Sequence, residues 1–191
     1  AAVKSAISMI SQLRVWNAAR IAVDNPAVNM GVGINTDNVV TGNIGSSKRM
    51  DFTMIGDGVN LAARLEGSCK TYGAQIIISE YTKSKLKGIY ALRELDRIVV
   101  KGKTEPVSIF EVLDFHDEET FPARMDVVGH FSEGLNHYRS TDFDAAIKSF
   151  SAALEANVND VPSQLYIERC NLFKNTPPPA GWSGEWVMTE K

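Results

Sequence analysis

The pattern of the chain changes once, near residue 117, and this change limits the folds open to it. Before residue 117, short apolar runs alternate with segments of helical periodicity, whereas after it the apolar residues recur at helical spacing alone. Alternating strands and helices are typical of a sheet covered by helices. We therefore predict an α/β or α+β fold in four parts: a sheet domain (1–116), a linker (117–124), helices (125–175) and a tail containing Pro and Trp (176–191).

Turn and cap residues divide the sheet domain into elements. The first predicted helix, over 1–20, has no capping residue ahead of it, so we expect that a segment upstream has been removed. Asp37-Asn38 favours a tight turn between strands over 28–36 and 39–44. The remaining predicted elements are a helix over 58–71 with Asp57 as N-cap and Gly73 as its end, a strand over 74–79, a short helix beginning at Ser79 and Glu80, and a hairpin of strands over 91–100 and 107–113.

Glycines in the first predicted hairpin are explained by strand geometry. Gly31 and Gly33 indicate a close backbone approach, and we expect them to leave room for a ligand or a partner chain. The glycines of GNIGSS, over 42–47, do not form a phosphate loop, because the segment lacks the GxxxxGK[ST] spacing.

The helical part contains a segment, GLNHYRSTDFDAAIKSFSAALEANVND, that resembles one tetratricopeptide unit. The residues that carry the resemblance are Gly134 and Tyr138 in the first helix and Ala145, Phe150 and Ala153 in the second. About three such repeats are usually needed to bury their own apolar faces. These helices are therefore predicted to dock on the sheet domain or on a partner, and Trp182 and Trp186 to pack on the same chain.

Composition excludes several classes of function. A net charge of −3 over 191 residues gives no basic surface with which to bind a nucleic-acid backbone. Cys69 and Cys170 lie far apart without a CxxC pair, which argues against a zinc or disulfide framework and favours a reducing cytoplasm. No apolar run approaches the roughly 20 residues of a membrane-spanning helix, although an upstream segment could still tether the protein to a membrane.

The sequence GDGVNLAARLE (56–66) is the strongest candidate for a binding site. Asn60 and Arg64 lie one helical turn apart near the helix start, on a narrow polar stripe between apolar residues. Arginine offers rigid donors suited to phosphate oxygens, and asparagine can donate to a ribose or phosphate oxygen. The alternative is an ordinary amphipathic helix with a surface arginine.

Other polar residues give weaker signals. Lys101 and Lys103 flank a glycine at the tip of the second predicted hairpin, where they could reach a polyphosphate or simply be solvated. The three histidines, His116, His130 and His137, do not converge by spacing with carboxylates or cysteines. No metal-binding or catalytic role is assigned to them.

Several separated motifs occur in the order found in one enzyme family. The block GVGINTDNVVTGNIGSSKRMDFTMIGDGVNLAARLEGSCKTYGAQIIISE, continued by DRIVVKGKTEPVSIFEVLD, resembles the class III nucleotidyl cyclase catalytic domain over roughly residues 5–114. It is most similar to adenylate cyclases of the bacterial, cyanobacterial type. The resemblance implies a ferredoxin-like sheet covered by helices and a reaction that forms 3′,5′-cyclic AMP and pyrophosphate from ATP.

The resemblance also implies roles for individual residues. Thr53 occupies the place of the purine-selecting residue, which argues against a guanylate cyclase. Asn60 matches the asparagine that orients the ribose, and Arg64 the arginine that stabilises charge on the α-phosphate. Lys101 aligns with the lysine that contacts the outer phosphates, with Lys103 as the alternative.

The resemblance lacks one part of the family pattern. The family's two metal-binding aspartates precede the first helix and have no counterpart in this sequence, so the chain is expected to be the C-terminal portion of a catalytic domain. The implied partners are Mg²⁺ or Mn²⁺ held by upstream residues, ATP, a second catalytic domain in a homodimer, and an upstream sensor domain. A non-catalytic dimerisation or regulatory module, with the helical tail as its working surface, is the other hypothesis.

Overall fold

The computed structural model of the chain describes residues 1–46, 49–99 and 105–187. Strands and helices alternate up to residue 112, and helices predominate after it, which confirms the predicted mixed α/β class. In the part of the chain that the structure describes, no helix has the length and apolar character needed to cross a membrane. The elements are α1 (Ala2–Ile21), β1 (Val32–Ile34), β2 (Val40–Ser46), β3 (Arg49–Ile55), α2 (Asp57–Tyr72), β4 (Ile76–Ser79), α3 (Glu80–Lys83), β5 (Leu92–Val99), β6 (Val107–Val112), α4 (Arg124–Arg139), α5 (Phe143–Ala156), α6 (Val161–Asn175) and β7 (Glu185–Val187).

A five-stranded sheet in the order β1-β4-β6-β5-β7 forms the centre of the fold. Strand β4 is buried along its whole length because its side chains are covered on both faces. Ile77 packs in the core beneath α2, whereas Ile76 and Ile78 pack in the core beneath α1. Alternate side chains of this one strand thus fill two cores, one on each face of the sheet, and α1, the sheet and α2 form three layers.

The predicted hairpin over 28–36 and 39–44 is wrong. β1 pairs in parallel with β4, with Val32 opposite Ile76, while β2 pairs antiparallel with β3, with Val40 opposite Ile55. Asp37 and Asn38 form a loop in which the Asn38 amide donates to the Asp37 carboxylate at 2.8 Å. The same turn chemistry that favours a hairpin therefore serves a connection between two different sheets.

Gly33 leaves room for α2 rather than for a ligand or a partner chain. A Cβ on Gly33 would lie 2.2 Å from the Ala62 carbonyl oxygen and 2.3 Å from the Glu66 nitrogen. A Cβ on Gly31 would lie 2.9 Å from the Cys69 Cβ. Helix α2 rests directly on the backbone of β1, which fixes the depth at which it sits on the sheet.

Gly33→Ala is expected to lower the free energy of unfolding by about 2–3 kcal/mol, because the new methyl group overlaps main-chain atoms of α2. Urea unfolding followed by circular dichroism measures this change. The control is Gly42→Ala, in strand β2, where a Cβ would meet nothing within 4 Å. Equal losses from the two substitutions would contradict the close contact between β1 and α2.

The C-terminal helices dock on the sheet domain of their own chain. The Arg93 guanidinium on β5 binds the Glu111 carboxylate on β6 and, at 2.5 Å, the Asp160 carboxylate that caps α6. Burial raises the pKa of Glu111 although Arg93 opposes the shift. Within the helices, Gly134 lies against the Phe150 ring, which a Cβ would approach to 2.5 Å.

The tail packs on the same chain, as predicted for its tryptophans. Trp182 lies edge-on against Tyr138 with ring centroids 5.0 Å apart, and Trp186 covers the Arg169 guanidinium. The sequence patterns did not predict β7, which pairs in parallel with β5. Residues 188–191 lie outside the described part of the chain.

Candidate active site

Helix α2 is flanked by a glycine at each end. Gly56 occupies the N-cap position with φ of 148°, and Gly73 follows the helix in the left-handed conformation with φ of 62°. The prediction of Asp57 as N-cap is wrong, because Asp57 is the first helical residue and makes no capping hydrogen bond. Its carboxylate still lies in the first turn, where the helix dipole favours negative charge.

One face of α2 is buried on the sheet and the opposite face is accessible. The buried residues are Gly58, Leu61, Leu65, Ser68, Cys69 and Tyr72. Asn60 is exposed and Arg64 is partly buried, one turn apart and about 6 Å along the helix axis. The buried apolar residues of α2, among them Leu65 and Cys69, therefore face a single core instead of lying on both sides of the predicted polar stripe.

Of the other predicted substrate residues, the structure describes Thr53. Thr53 is exposed on β3, opposite Gly42 and three residues before Gly56. The structure thus places Thr53 on the strand that leads directly into the helix bearing Asn60 and Arg64. Lys101 and Lys103 lie outside the described residues.

Asn35 holds the first turn of α2, a role that the sequence patterns did not indicate. Its Nδ2 donates to the Gly58 carbonyl oxygen at 3.1 Å, and its Oδ1 accepts from the Ser79 hydroxyl at 2.6 Å. Gly58 also packs against Asp37, whose Cβ would lie 2.4 Å from a Cβ on Gly58. The start of the helix is therefore fixed two residues before Asn60.

The described residues do not fit a divalent metal ion. Among residues 1–46, 49–99 and 105–187, no three side chains of His, Cys, Asp or Glu converge to hold one. Asn60 and Arg64 offer an amide and a guanidinium, and the guanidinium repels a cation. Burial and nearby arginines lower the pKa of His116 to about 4, and burial raises the pKa of the Cys69 thiol to about 11.

A family model described as the adenylate and guanylate cyclase catalytic domain matches residues 1–113, which is more than half of the chain. The chain belongs to this family. The matched segment contains α2 with Asn60 and Arg64, the strand with Thr53, and the hairpin of β5 and β6. It ends one residue after β6, so the C-terminal helices lie outside the part that defines the cyclase family.

The similar proteins include several that are named adenylate cyclases. The terminal-differentiation-specific adenylate cyclase of Dictyostelium discoideum is 34% identical over 172 residues, covering 88% of this chain and 8% of that protein. The adenylate cyclase of Anabaena cylindrica is 44% identical over 90 residues, covering 46% of this chain and 18% of that protein. The chain thus spans less than one fifth of the length of either relative.

The fold is also similar to a solved cyclase structure. The structure of a bacterial light-regulated adenylyl cyclase matches with a TM-score of 0.51 and 24% identity, covering 61% of this chain and 33% of that chain. At this identity the likeness shows the fold alone.

Proposed function

We propose that residues 1–116 are the C-terminal portion of the catalytic domain of an adenylate cyclase that converts ATP to 3′,5′-cyclic AMP and pyrophosphate. In this proposal, Thr53 selects the adenine, Asn60 orients the ribose, and Arg64 stabilises charge on the α-phosphate. Lys101, with Lys103 as the alternative, contacts the outer phosphates. The observation that carries the proposal is the accessible face of α2, where an amide and a guanidinium are presented one turn apart on a helix fixed by Gly33 and Asn35.

The chemistry assigned to these residues follows from the charges of the reaction. The ribose 3′ oxygen loses its proton and forms a bond to the α-phosphorus, while the bond from that phosphorus to the pyrophosphate oxygen breaks. The transition state spreads negative charge over the α-phosphate oxygens, and preorganised guanidinium donors stabilise such charge. A divalent ion, Mg²⁺ or Mn²⁺ as the resemblance implies, would be held by carboxylates outside this chain.

A second copy of the catalytic domain is the proposed partner. Strands β2 and β3 form a two-stranded sheet with large apolar side chains exposed on both faces. Met50, Met54 and Phe52, which is 76% exposed, lie on one face, and Val40 and Ile55 lie on the other. A lone two-stranded hairpin is only marginally stable in water, and exposed apolar side chains clustered in this way mark a protein interface. Thr53 lies on the same face as Val40 and Ile55, so a partner covering that face would also border the proposed adenine site.

Two alternatives receive less support. A non-catalytic regulatory module with the helical tail as its working surface would need a free apolar face on those helices. Their apolar residues Phe131, Phe150 and Tyr166 are instead buried within the chain. A guanylate cyclase belongs to the same family, and Thr53 is the residue that argues against it.

Substitution of Thr53 tests the base assignment in the intact cyclase. Thr53→Ala is expected to lower kcat/KM for ATP relative to GTP by about tenfold, which corresponds to one lost hydrogen bond. The control is Thr41→Ala. Thr41 lies on the same hairpin but pairs with Met54, so its side chain is on the face opposite to that of Thr53. Steady-state formation of cyclic AMP and cyclic GMP by each variant gives the ratio.

Three results would count against the proposal. An intact protein that forms no cyclic AMP would contradict the proposed function itself. A preference for GTP in the unsubstituted enzyme would contradict the choice of substrate. An unchanged ratio of ATP to GTP in Thr53→Ala would contradict the role of Thr53 alone.

A further inference from the structure

Three buried polar side chains join helix α2 to the C-terminal helices. Tyr72 is the last residue of α2, Asp96 lies on β5, and Arg169 lies on α6. The Tyr72 hydroxyl and the Arg169 Nη1 both donate to Asp96 Oδ2, at 2.5 Å and 2.6 Å. The Arg169 Nη2 also donates to the Tyr72 oxygen at 3.3 Å. One carboxylate therefore connects three elements that are far apart in the sequence.

The three side chains of this cluster are buried, so their polar atoms must bond to one another. Asp96 has no exposed surface, Tyr72 is 1% exposed and Arg169 is 4% exposed. Burial, followed by the charge of Asp96, raises the pKa of Tyr72 well above its ordinary value, so the hydroxyl keeps the proton that it donates. The Trp186 ring lies over the Arg169 guanidinium at 4.1 Å and closes the cluster from the side of the tail.

Two further contacts connect α6 and β7 to the parts of the chain that carry the proposed site. Gly73, just after α2, lies against Val161 at the start of α6, where a Cβ would approach the Val161 side chain to 2.8 Å. Strand β7 pairs with β5 over Arg97–Val99, immediately before the segment that contains Lys101 and Lys103. The C-terminal part of the chain thus contacts α2, which carries Arg64, and β5, which precedes Lys101 and Lys103 in the sequence.

The comparison with the Dictyostelium cyclase extends this association beyond one chain. The family model ends at residue 113, but the similarity to that adenylate cyclase covers 172 residues. An alignment of that length includes part of the helical tail. A similar tail therefore follows the catalytic domain in a second protein named an adenylate cyclase.

We propose that the C-terminal helices are an internal brace for the catalytic helix, and that Tyr72 is the positioning residue through which the brace acts on Asn60 and Arg64. This inference rests on the proposed function, because it assigns Tyr72 an effect on that reaction. Helix α2 is held by Asn35 at its start and by the cluster at its end. A helix fixed at both ends cannot tilt or rotate on the sheet, and a misplacement of about 1 Å in an active site can cost about 10²-fold in rate.

Removal of a single hydroxyl tests the proposal in the intact cyclase. Tyr72→Phe keeps the ring in the core but removes the bond to Asp96, which retains its ion pair with Arg169. We expect kcat for cyclic AMP formation to fall about five- to tenfold while KM for ATP changes less than about twofold, since α2 is misplaced but not unfolded. Amide hydrogen exchange in residues 57–72 is expected to accelerate.

Tyr166→Phe is the matched control. Tyr166 is also a buried tyrosine, and its hydroxyl donates to the Leu95 carbonyl oxygen at 2.9 Å, but it lies on α6 and not on α2. This variant is expected to lose a similar amount of thermal stability while keeping kcat and the exchange rates of α2 close to those of the unsubstituted enzyme. A structural role alone would lower kcat equally in both variants.

The outcomes separate this proposal from the proposed function. Normal kcat and normal exchange in Tyr72→Phe would overturn the brace, as would equal losses of kcat in Tyr72→Phe and Tyr166→Phe. Arg64→Ala serves as the reference for the function. If Arg64→Ala is inactive and Tyr72→Phe is fully active, the brace fails and the function stands. If Arg64→Ala is fully active, the proposed active site fails and the brace, which rests on it, fails with it.

Discussion

On the proposed function, Arg64→Ala in the intact protein is expected to lower kcat for cyclic AMP formation by about 10²-fold or more, the usual cost of losing a transition-state donor. Arg64 lies on the accessible side of α2, one turn after Asn60, while the opposite side of the helix is anchored in the core. Alanine preserves the helix, so the loss falls on charge stabilisation rather than on folding. Initial rates at saturating ATP measure kcat, and thermal unfolding verifies that the fold is intact.

Lys70→Ala is the control for Arg64→Ala. Lys70 is a cation on the same helix, in its last turn and exposed to solvent. Its removal changes the net charge by the same amount, so kcat is expected to stay within about twofold, because a distant exposed charge is screened by solvent. Near-normal cyclic AMP output from Arg64→Ala, or equal losses in the two variants, would refute the assignment of Arg64.

Local signals predicted those elements whose partners are close in sequence. Gly73 ends α2 in the left-handed conformation, and β5 pairs with β6 across a short connection. The first predicted hairpin was wrong because β1 pairs with β4, with Gly33 opposite Ile77 and all of α2 between them in the sequence. Turn chemistry at Asp37 and Asn38 indicates a change of direction but not which strand follows as a neighbour.

In the candidate site, too, local patterns predicted some residues, whereas residues with partners distant in the sequence were missed. Asn60 and Arg64 were identified from helical periodicity and from resemblance, because four residues along one helix always share a face. Asn35 and the cluster of Tyr72, Asp96 and Arg169 were not identified. The partners of these residues lie 23, 24 and 73 positions away, so nothing in their local sequence distinguishes them from ordinary polar residues.

The buried cluster also governs stability, and Arg169→Ala is expected to lower the free energy of unfolding by about 3–5 kcal/mol. The substitution leaves the Asp96 carboxylate, which has no exposed surface, without its charged partner. It also removes the cation beneath the Trp186 ring. Urea unfolding of the chain, followed by tryptophan fluorescence, measures both the loss and the release of the tail.

Lys174→Ala, on the same helix, separates this effect from ion pairing in general. Lys174 pairs with Asp144, but both side chains are largely exposed, so about 1 kcal/mol or less is expected from its removal. Combining Arg169→Ala with Asp96→Asn is expected to restore part of the stability lost in Arg169→Ala, because no uncompensated charge then remains buried. If Arg169→Ala costs no more than Lys174→Ala, the cluster does not hold the tail on the sheet. A large loss that the double variant partly restores would show that desolvated charge, rather than lost packing, dominates the junction between α2, β5 and α6.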